Sequence, residues 1–324
     1  MDTNESLLGR RQLLAGAAGI GVAAAAFAPQ STIAAPVKAA KKKVSVRGFD
    51  MAYYEVGRGQ PIVFLHGNPT SSYQWRKIIP YVEGLGRCVA PDMIGMGDSD
   101  PLPNSGPGVY TYATHRDYMF ELLEKLGISD DVIFVVHDWG SAMGFEWAYH
   151  HPDRVRGIAY YEALVRPPDG PRPEPVQGPF VLYRSIGGEK AVLEDNLFVE
   201  NMLRGLKYYL SDEEIAEYKR PFLQPGESRR PTLEWPRELP LGGRPKRNDD
   251  LMKEYSAWLA QDTRIPKLFM RGDPGGIFAA EPMLRFVQSF KNQTEVTIYG
   301  THHLQDTSPD AMGRALAEWI QKLV

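Results

Sequence analysis

From Ile62 to the C-terminus the sequence repeats one unit: a short, nearly continuous run of Val, Ile and Phe, followed by a stretch with apolar residues at helical spacing. Continuous runs suit strands covered on both faces, because a half-exposed strand would alternate apolar and polar side chains. Strand candidates are 44–47, 51–56, 62–65, 87–91, 132–137, 155–162, 267–271 and 295–299. Helix candidates between them are 72–82, 114–126, 141–150, 280–290 and 309–323. The alternation predicts an α/β fold with a mostly parallel eight-stranded sheet, helices on both faces and the first two strands as a hairpin at one edge.

The rhythm stops between Arg166 and about Asn248, where prolines and charges are dense and no strand pattern recurs. Stretches 191–206 and 212–219 read as helical, and the proline-rich stretch 231–245 as irregular. Leu193, Leu197, Phe198, Leu203, Tyr208 and Phe222 supply too much apolar surface for a disordered linker, so the segment is expected to be a helical cap inserted after the sixth strand. The expected organisation is 1–40 as an export signal and linker, 41–165 as the first part of the core, 166–248 as the cap and 249–324 as the second part of the core.

The export reading rests on Arg10-Arg11-Gln12-Leu13-Leu14, which opens an alanine-rich run to about Ala28, ahead of small residues and Lys41-Lys42-Lys43. This is the pattern of a twin-arginine signal. The run is too short and too weakly apolar to span a bilayer, which takes roughly 20 predominantly apolar residues, so no stable membrane anchor is expected. The chain is therefore expected to meet the twin-arginine export machinery and to be periplasmic or secreted. A length of 324 residues, 43% hydrophobic and 24% charged, accommodates one core plus an insertion. The net charge of -3 offers no basic field for nucleic acid. The single cysteine, Cys88, can form no intramolecular disulfide and sits in an apolar strand pattern, which suits a buried thiol.

The chemistry-bearing residues gather at the ends of the expected strands, where open parallel sheets place their ligands. His137-Asp138-Trp139-Gly140-Ser141 closes one apolar run and opens a helix, so a sharp strand-to-helix turn would project the side chain of Asp138. A carboxylate is nucleophilic at neutral pH without a base and forms an ester that a second step can hydrolyse. The competing role for Asp138 is a helix N-cap. His66-Gly67-Asn68-Pro69 follows the strand 62–65, from where a second backbone N–H can reach the reacting centre. His302, after the last strand, is favoured over its neighbour His303 as general base. Two carboxylates could orient that histidine. Asp273, between Gly272 and Pro274, suits a turn, whereas Glu162 ends an apolar strand where an unpaired carboxylate would be costly, which favours Glu162.

Taken together, His66-Gly-Asn-Pro-Thr-Ser-Ser-Tyr73, Pro91-Asp-Met-Ile-Gly-Met-Gly-Asp-Ser99, His137-Asp-Trp-Gly-Ser141 and Glu162 ahead of Arg166-Pro167 resemble a haloalkane dehalogenase of the α/β-hydrolase superfamily, in the subfamily whose catalytic acid follows strand six. The likeness runs from about Val44 to the C-terminus and includes Asn196-Leu-Phe198 and Tyr218-Lys-Arg-Pro-Phe222 in the cap. It implies an α/β-hydrolase fold and hydrolysis of a small apolar haloalkane to a primary alcohol, halide and a proton through an alkyl-aspartyl ester. It further implies Asp138 as nucleophile, His302 as base, Glu162 as acid, and Asn68 with Trp139 as the halide-binding pair, with no metal and no cofactor. Phe180, Phe198 and Ile277 are expected in the substrate pocket. The family usually carries an aromatic or aliphatic residue after its histidine, and here that place holds His303.

Three other readings share parts of this pattern. An epoxide hydrolase would use the same aspartate and histidine with cap tyrosines, for which Tyr183, Tyr208, Tyr209 and Tyr218 are available. A coelenterazine-type luciferase also shares the Asn and Asp-Trp motifs. A non-catalytic binding protein could occupy the same scaffold.

Overall fold

The computed structural model of the chain describes residues 40–167 and 178–323, and the expected export signal lies outside them. In chain order the first part of the core contains β1 (Lys42–Val46), β2 (Phe49–Val56), β3 (Pro61–Leu65), β4 (Arg87–Pro91), α1 (Tyr112–Lys125), β5 (Val132–Asp138), α2 (Trp139–His150) and β6 (Val155–Ala163). Helices follow without a described strand: α3 (Pro179–Tyr183), α4 (Leu197–Leu206), α5 (Asp212–Lys219), α6 (Arg230–Glu238) and α7 (Lys246–Gln261). The chain then returns to the sheet with β7 (Lys267–Pro274), α8 (Glu281–Gln288), β8 (Gln293–Gly300), α9 (Leu304–Thr307) and α10 (Pro309–Ile320).

The described strands form one eight-stranded sheet in the order β1-β2-β4-β3-β5-β6-β7-β8. β1 and β2 pair antiparallel, β2 joins β4 antiparallel, and every later pairing is parallel, as the hairpin-plus-alternation pattern predicts. Along β5 the side chains divide by the strand period of two. Phe134 and Val136 enter the apolar layer that holds Met119, Leu122 and Phe145 of α1 and α2, while Ile133 and Val135 enter the opposite layer with Trp75, Met312 and Leu316. Both faces are thus covered, which is why the run carries no polar residue before His137. Cys88 is buried in the second layer, where burial pushes its thiol up to about 12, so it stays protonated.

Three local expectations need correction. The stretch 72–82 is two short 3-10 turns, Ser72–Trp75 and Ile79–Tyr81, since Pro80 lacks the N–H and has the ring that would disrupt a continuous helix. The stretch 191–206 is divided at Asn196, whose backbone is left-handed (φ 55°), into a π-helical turn Glu189–Glu194 and α4. The stretch 231–245 is not irregular, because α6 occupies Arg230–Glu238. Pro231 lies in the first turn, where no helical donor is lost, and Pro236 is tolerated further along because the Thr232 carbonyl, left without a helical donor, finds another partner. Among the described residues no helix is long and apolar enough to cross a membrane.

One buried ion cluster ties helix α5 to the core. Arg76 sends Nη2 to Glu214 Oε1 at 2.6 Å and to Asp306 Oδ1 at 2.9 Å, and Nη1 to the Tyr218 hydroxyl at 3.2 Å. Tyr218 in turn donates to Asp306 Oδ2 at 2.8 Å. Burial opposes ionisation of Glu214, but hydrogen bonds from Lys77 and Arg76 outweigh it and pull its pKa down to about 2. A depressed carboxylate contributes stability that is complete above its ordinary pKa and is lost as pH falls through the folded value, so this contribution fades between about 4.5 and about 2. Arg76→Met leaves Asp306 without its cation in a buried setting and is expected to lower unfolding stability by about 3 kcal/mol, measured by urea titration at pH 7. The deficit should shrink as pH falls, starting above the ordinary carboxylate range, because burial already raises Asp306 and loss of Arg76 raises it further.

Candidate active site

β3 has β4 on one side and β5 on the other, so the chain reverses its winding direction at the β3–β5 pair and opens a crevice beyond their carboxyl ends. The two strand ends approach closely because both following turns are glycine-bearing. A Cβ on Gly140 would strike the carbonyls of Leu65 and His66, and one on Gly67 would strike the Asp138 carboxylate. Between them Asp138 takes φ 49° and ψ -127°, a backbone region that costs a non-glycine residue of order 1–3 kcal/mol. Asp138 holds the N-cap position of α2, but its side chain makes no capping bond.

The turn aims the carboxylate back at two main-chain donors. Asn68 N–H donates to Asp138 Oδ1 at 2.8 Å, and Trp139 N–H also hydrogen-bonds the carboxylate. Burial pushes the Asp138 carboxyl above its ordinary range, and the positive field of His302 with these two N–H groups offsets part of that rise. The other oxygen, Oδ2, lies 3.9 Å from His302 Nε2. His302 Nδ1 lies 3.2 Å from Glu162 Oε2. Glu162 is fully buried at the end of β6 with φ 42°, and it also receives the N–H groups of Gly276 at 3.0 Å and Ile277 at 2.5 Å. Burial works to raise its pKa, but the His302 hydrogen bond and charge and the two main-chain donors hold it below the ordinary carboxylate range. Burial also works to lower His302, yet Glu162 and Asp138 outweigh it and hold the imidazole above its ordinary value.

The choices left between neighbours are separated by these contacts. Asp273 is exposed, while Glu162 faces His302. His303 reaches Gln305 rather than either carboxylate, and burial together with the charge of His302 holds its pKa well below the ordinary value. His137, which the sequence marked only as part of a motif, lies 2.9 Å through Nε2 from the His302 carbonyl and stacks on Tyr161 at 4.5 Å. His137 is held well below its ordinary pKa by burial, so the neutral ring donates there and fixes the His302 loop from behind. His66 is likewise neutral, lowered to about 4 by burial, and joins the Gly67 carbonyl to the Met93 N–H.

Asn68 and Trp139 share a wall with Asp138 in a cavity of about 650 Å³. Phe180, Phe198 and Ile277 line it as well, with Leu164, Met202 and Met252. The Trp139 indole stacks on Trp235 of α6 at 4.4 Å, and its Nε1–H makes no hydrogen bond among the described residues. The Asn68 amide is set by α6. Pro236 has no N–H for the carbonyl four residues back, Thr232 O, and Asn68 Nδ2 donates to that carbonyl at 3.1 Å. Turning the amide over would set Oδ1 against the same carbonyl, so one amide proton is committed to Thr232 and the second is free for the cavity. Sequence reasoning missed this partner because it read 231–245 as irregular. Of the four cap tyrosines only Tyr183 lines the cavity, and its hydroxyl accepts from Asn201 at 2.9 Å. Tyr208 and Tyr209 are exposed, and Tyr218 belongs to the Arg76 cluster. No cluster of His, Cys, Asp or Glu among the described residues is arranged to hold a metal ion.

Comparison with known proteins agrees with this geometry. A family model described as the alpha/beta hydrolase fold matches residues 60–309. A haloalkane dehalogenase of Sphingobium indicum is 49% identical over 285 residues, covering 87% of this chain and 96% of that protein. A coelenterazine h 2-monooxygenase of Renilla reniformis is 36% identical, covering 87% and 91%. The crystal structure of a haloalkane dehalogenase from Bradyrhizobium elkani superimposes with a TM-score of 0.79 at 38% identity, covering 88% of this chain and 98% of that one.

Pro236→Ala returns an N–H to α6 that competes for the Thr232 carbonyl and releases the Asn68 amide. The expected result is a roughly tenfold weaker quenching of tryptophan fluorescence by bromide, at unchanged or higher thermal stability, since alanine is the better helix former by ~3 kcal/mol in isolation.

Proposed function

The chain belongs to the haloalkane dehalogenases of the α/β-hydrolase family, and on that premise we propose how its own residues open a carbon–halogen bond. The observation that carries the reading is the Asp138 carboxylate, which takes the Asn68 N–H on Oδ1 and the Trp139 N–H and faces His302 with Oδ2, in one cavity with Asn68 and Trp139. Asp138 Oδ2 attacks the halogen-bearing carbon in line, forming an alkyl ester as the carbon–halogen bond breaks. The leaving halide is received by the Trp139 Nε1–H and the free Asn68 amide proton. No proton is needed, because halide leaves as a stable anion.

His302 keeps its proton on Nδ1, towards Glu162, which leaves Nε2 as the base that takes a proton from water. That water attacks Cγ of the ester, and the charge develops on Oδ1, the oxygen that already accepts from the Asn68 N–H, with the Trp139 N–H also at this carboxylate. The donors that hold the resting carboxylate are therefore in position for the tetrahedral intermediate without reorganisation. Esterification also cancels the Asp138 charge, one of the groups that raise His302, so the proton-accepting form becomes more available once the ester exists. Alcohol, halide and a proton leave. Epoxide opening has less support, since a single cap tyrosine, Tyr183, lines the cavity. The luciferase reading leans on the more distant of the two relatives.

The N-terminal Arg10-Arg11 pair supports export through the twin-arginine route to the periplasm or beyond, with 1–40 removed or left as a linker. Replacing both arginines with lysine should retain the protein in the cytoplasm, as read by fractionation and immunoblotting.

For the chemistry, 1-bromobutane or 1,2-dibromoethane should yield bromide with the native protein, and no release from either would refute the reaction. His302→Phe should release about one bromide per chain and then stop, with an intact-mass increase equal to the alkyl group. Asp138→Ala should gain no mass. With native enzyme, the bromide burst should persist at pH 6 while steady turnover falls, because ester hydrolysis needs neutral His302 and Glu162 still favours the protonated ring after the Asp138 charge is gone.

A further inference from the structure

Within the cavity most polar groups are already committed. Asn68 and Trp139 are assigned to the halide, His302 to water, and Asn201 to the Tyr183 hydroxyl at 2.9 Å. Besides the Tyr183 hydroxyl proton, which the Asn201 contact does not use, His303 is left over. It lines the same cavity, its ring 4.8 Å from that of His302, and its Nε2 has no partner among the described residues.

The proton on this ring is fixed from behind. Gln305 Oε1 accepts from the Tyr161 hydroxyl at 2.8 Å, and Gln305 Nε2 points at Asp306 Oδ2 at 3.3 Å. Asp306 is itself anchored by the Arg76 guanidinium at 2.9 Å. With a hydroxyl donor on its oxygen and a carboxylate on its nitrogen, the Gln305 amide has one sensible orientation. Its Nε2 then donates to His303 Nδ1 at 3.3 Å. A neutral imidazole carries one N–H and one acceptor, so an occupied acceptor at Nδ1 leaves the proton on Nε2, the atom without a partner. Burial and the charge of His302 keep the ring neutral. A phenylalanine would fill the same space with no polar atom to satisfy, whereas an unpartnered N–H on a residue that lines an apolar cavity is useful only when an acceptor comes to it.

We propose that His303 is a specificity-determining residue whose Nε2–H receives an oxygen on the chain of the halogenated substrate, so that oxygen-bearing haloalkanes such as haloethers are preferred over plain haloalkanes of the same length. The proposal rests on the dehalogenase reading above and names the substrate class of that same site. No bond is made or broken at His303; the oxygen binds there while Asp138 acts on the halogenated carbon.

The test compares isosteric pairs in which one methylene is replaced by oxygen: 1-bromo-2-methoxyethane against 1-bromobutane, 1-bromo-3-methoxypropane against 1-bromopentane, and 1-bromo-4-methoxybutane against 1-bromohexane. The readout is kcat/KM for bromide release by the native enzyme and by His303→Phe. At one oxygen position the ether-to-alkane ratio should stand about fivefold above the other positions, the factor carried by a net hydrogen bond of ~1 kcal/mol. That excess should vanish in His303→Phe and be partly kept in His303→Gln, which retains a donor. A flat series in the native enzyme overturns the proposal without any variant, and so does a preference that survives His303→Phe. Absence of bromide from all three alkanes would instead overturn the underlying reaction.

Discussion

The site depends on how closely the first turn of α2 approaches the end of β3. Gly140 lies against the carbonyls of Leu65 and His66, and Gly67 lies against the Asp138 carboxylate, with no room for a Cβ at either position. That contact holds Asp138 at a positive φ and brings the N–H groups of Asn68 and Trp139 to its carboxylate. The strain is localised at one residue and is offset by a strand pair buried on both faces. Glu162 repeats the device at the end of β6, again with positive φ on a non-glycine residue and again with two main-chain donors on its carboxylate. Two strained strand ends thus present two carboxylates to opposite sides of one imidazole.

The electrostatics follow from that arrangement. Burial alone would neutralise both carboxylates and the histidine, yet their mutual contacts keep Glu162 low and His302 high. For the neighbouring histidines no such contact outweighs burial, not even the charge of Asp92 near His66. His137, His66 and His303 are all lowered by burial, and each serves as a neutral donor or acceptor that holds a loop or faces the cavity. One residue type therefore performs two kinds of work within a few ångströms, and the deciding variable is whether a carboxylate is within reach.

The helices between β6 and β7 contribute more than cavity walls. Trp235 of α6 stacks on Trp139, and Thr232 of the same helix holds the Asn68 amide. The Trp139 indole and the Asn68 amide are thereby both held from outside the sheet. A proline inside a helix, ordinarily a defect, is what leaves the Thr232 carbonyl open.

Periodicity alone was sufficient to read the eight strands, their mostly parallel order and the residues at their ends, because strands buried on both faces cannot hide their composition. Asp138, Glu162 and His302 were legible for a related reason: a titratable side chain at the end of an apolar run is expensive unless it has a partner. Local prolines misled the reading at 72–82 and 231–245, where the outcome turned on which carbonyls found other donors. The choices of Glu162 over Asp273 and His302 over His303 were arguable from sequence, but only the tertiary structure gave them distances. The Thr232–Asn68 bond, the His137 contact behind His302 and the Gln305 contact that fixes the His303 proton join residues from 2 to 165 positions apart. Sequence determines which groups must be satisfied, whereas the folded chain decides which partner satisfies them, since hydrogen bonds depend on distance and direction that no linear pattern encodes.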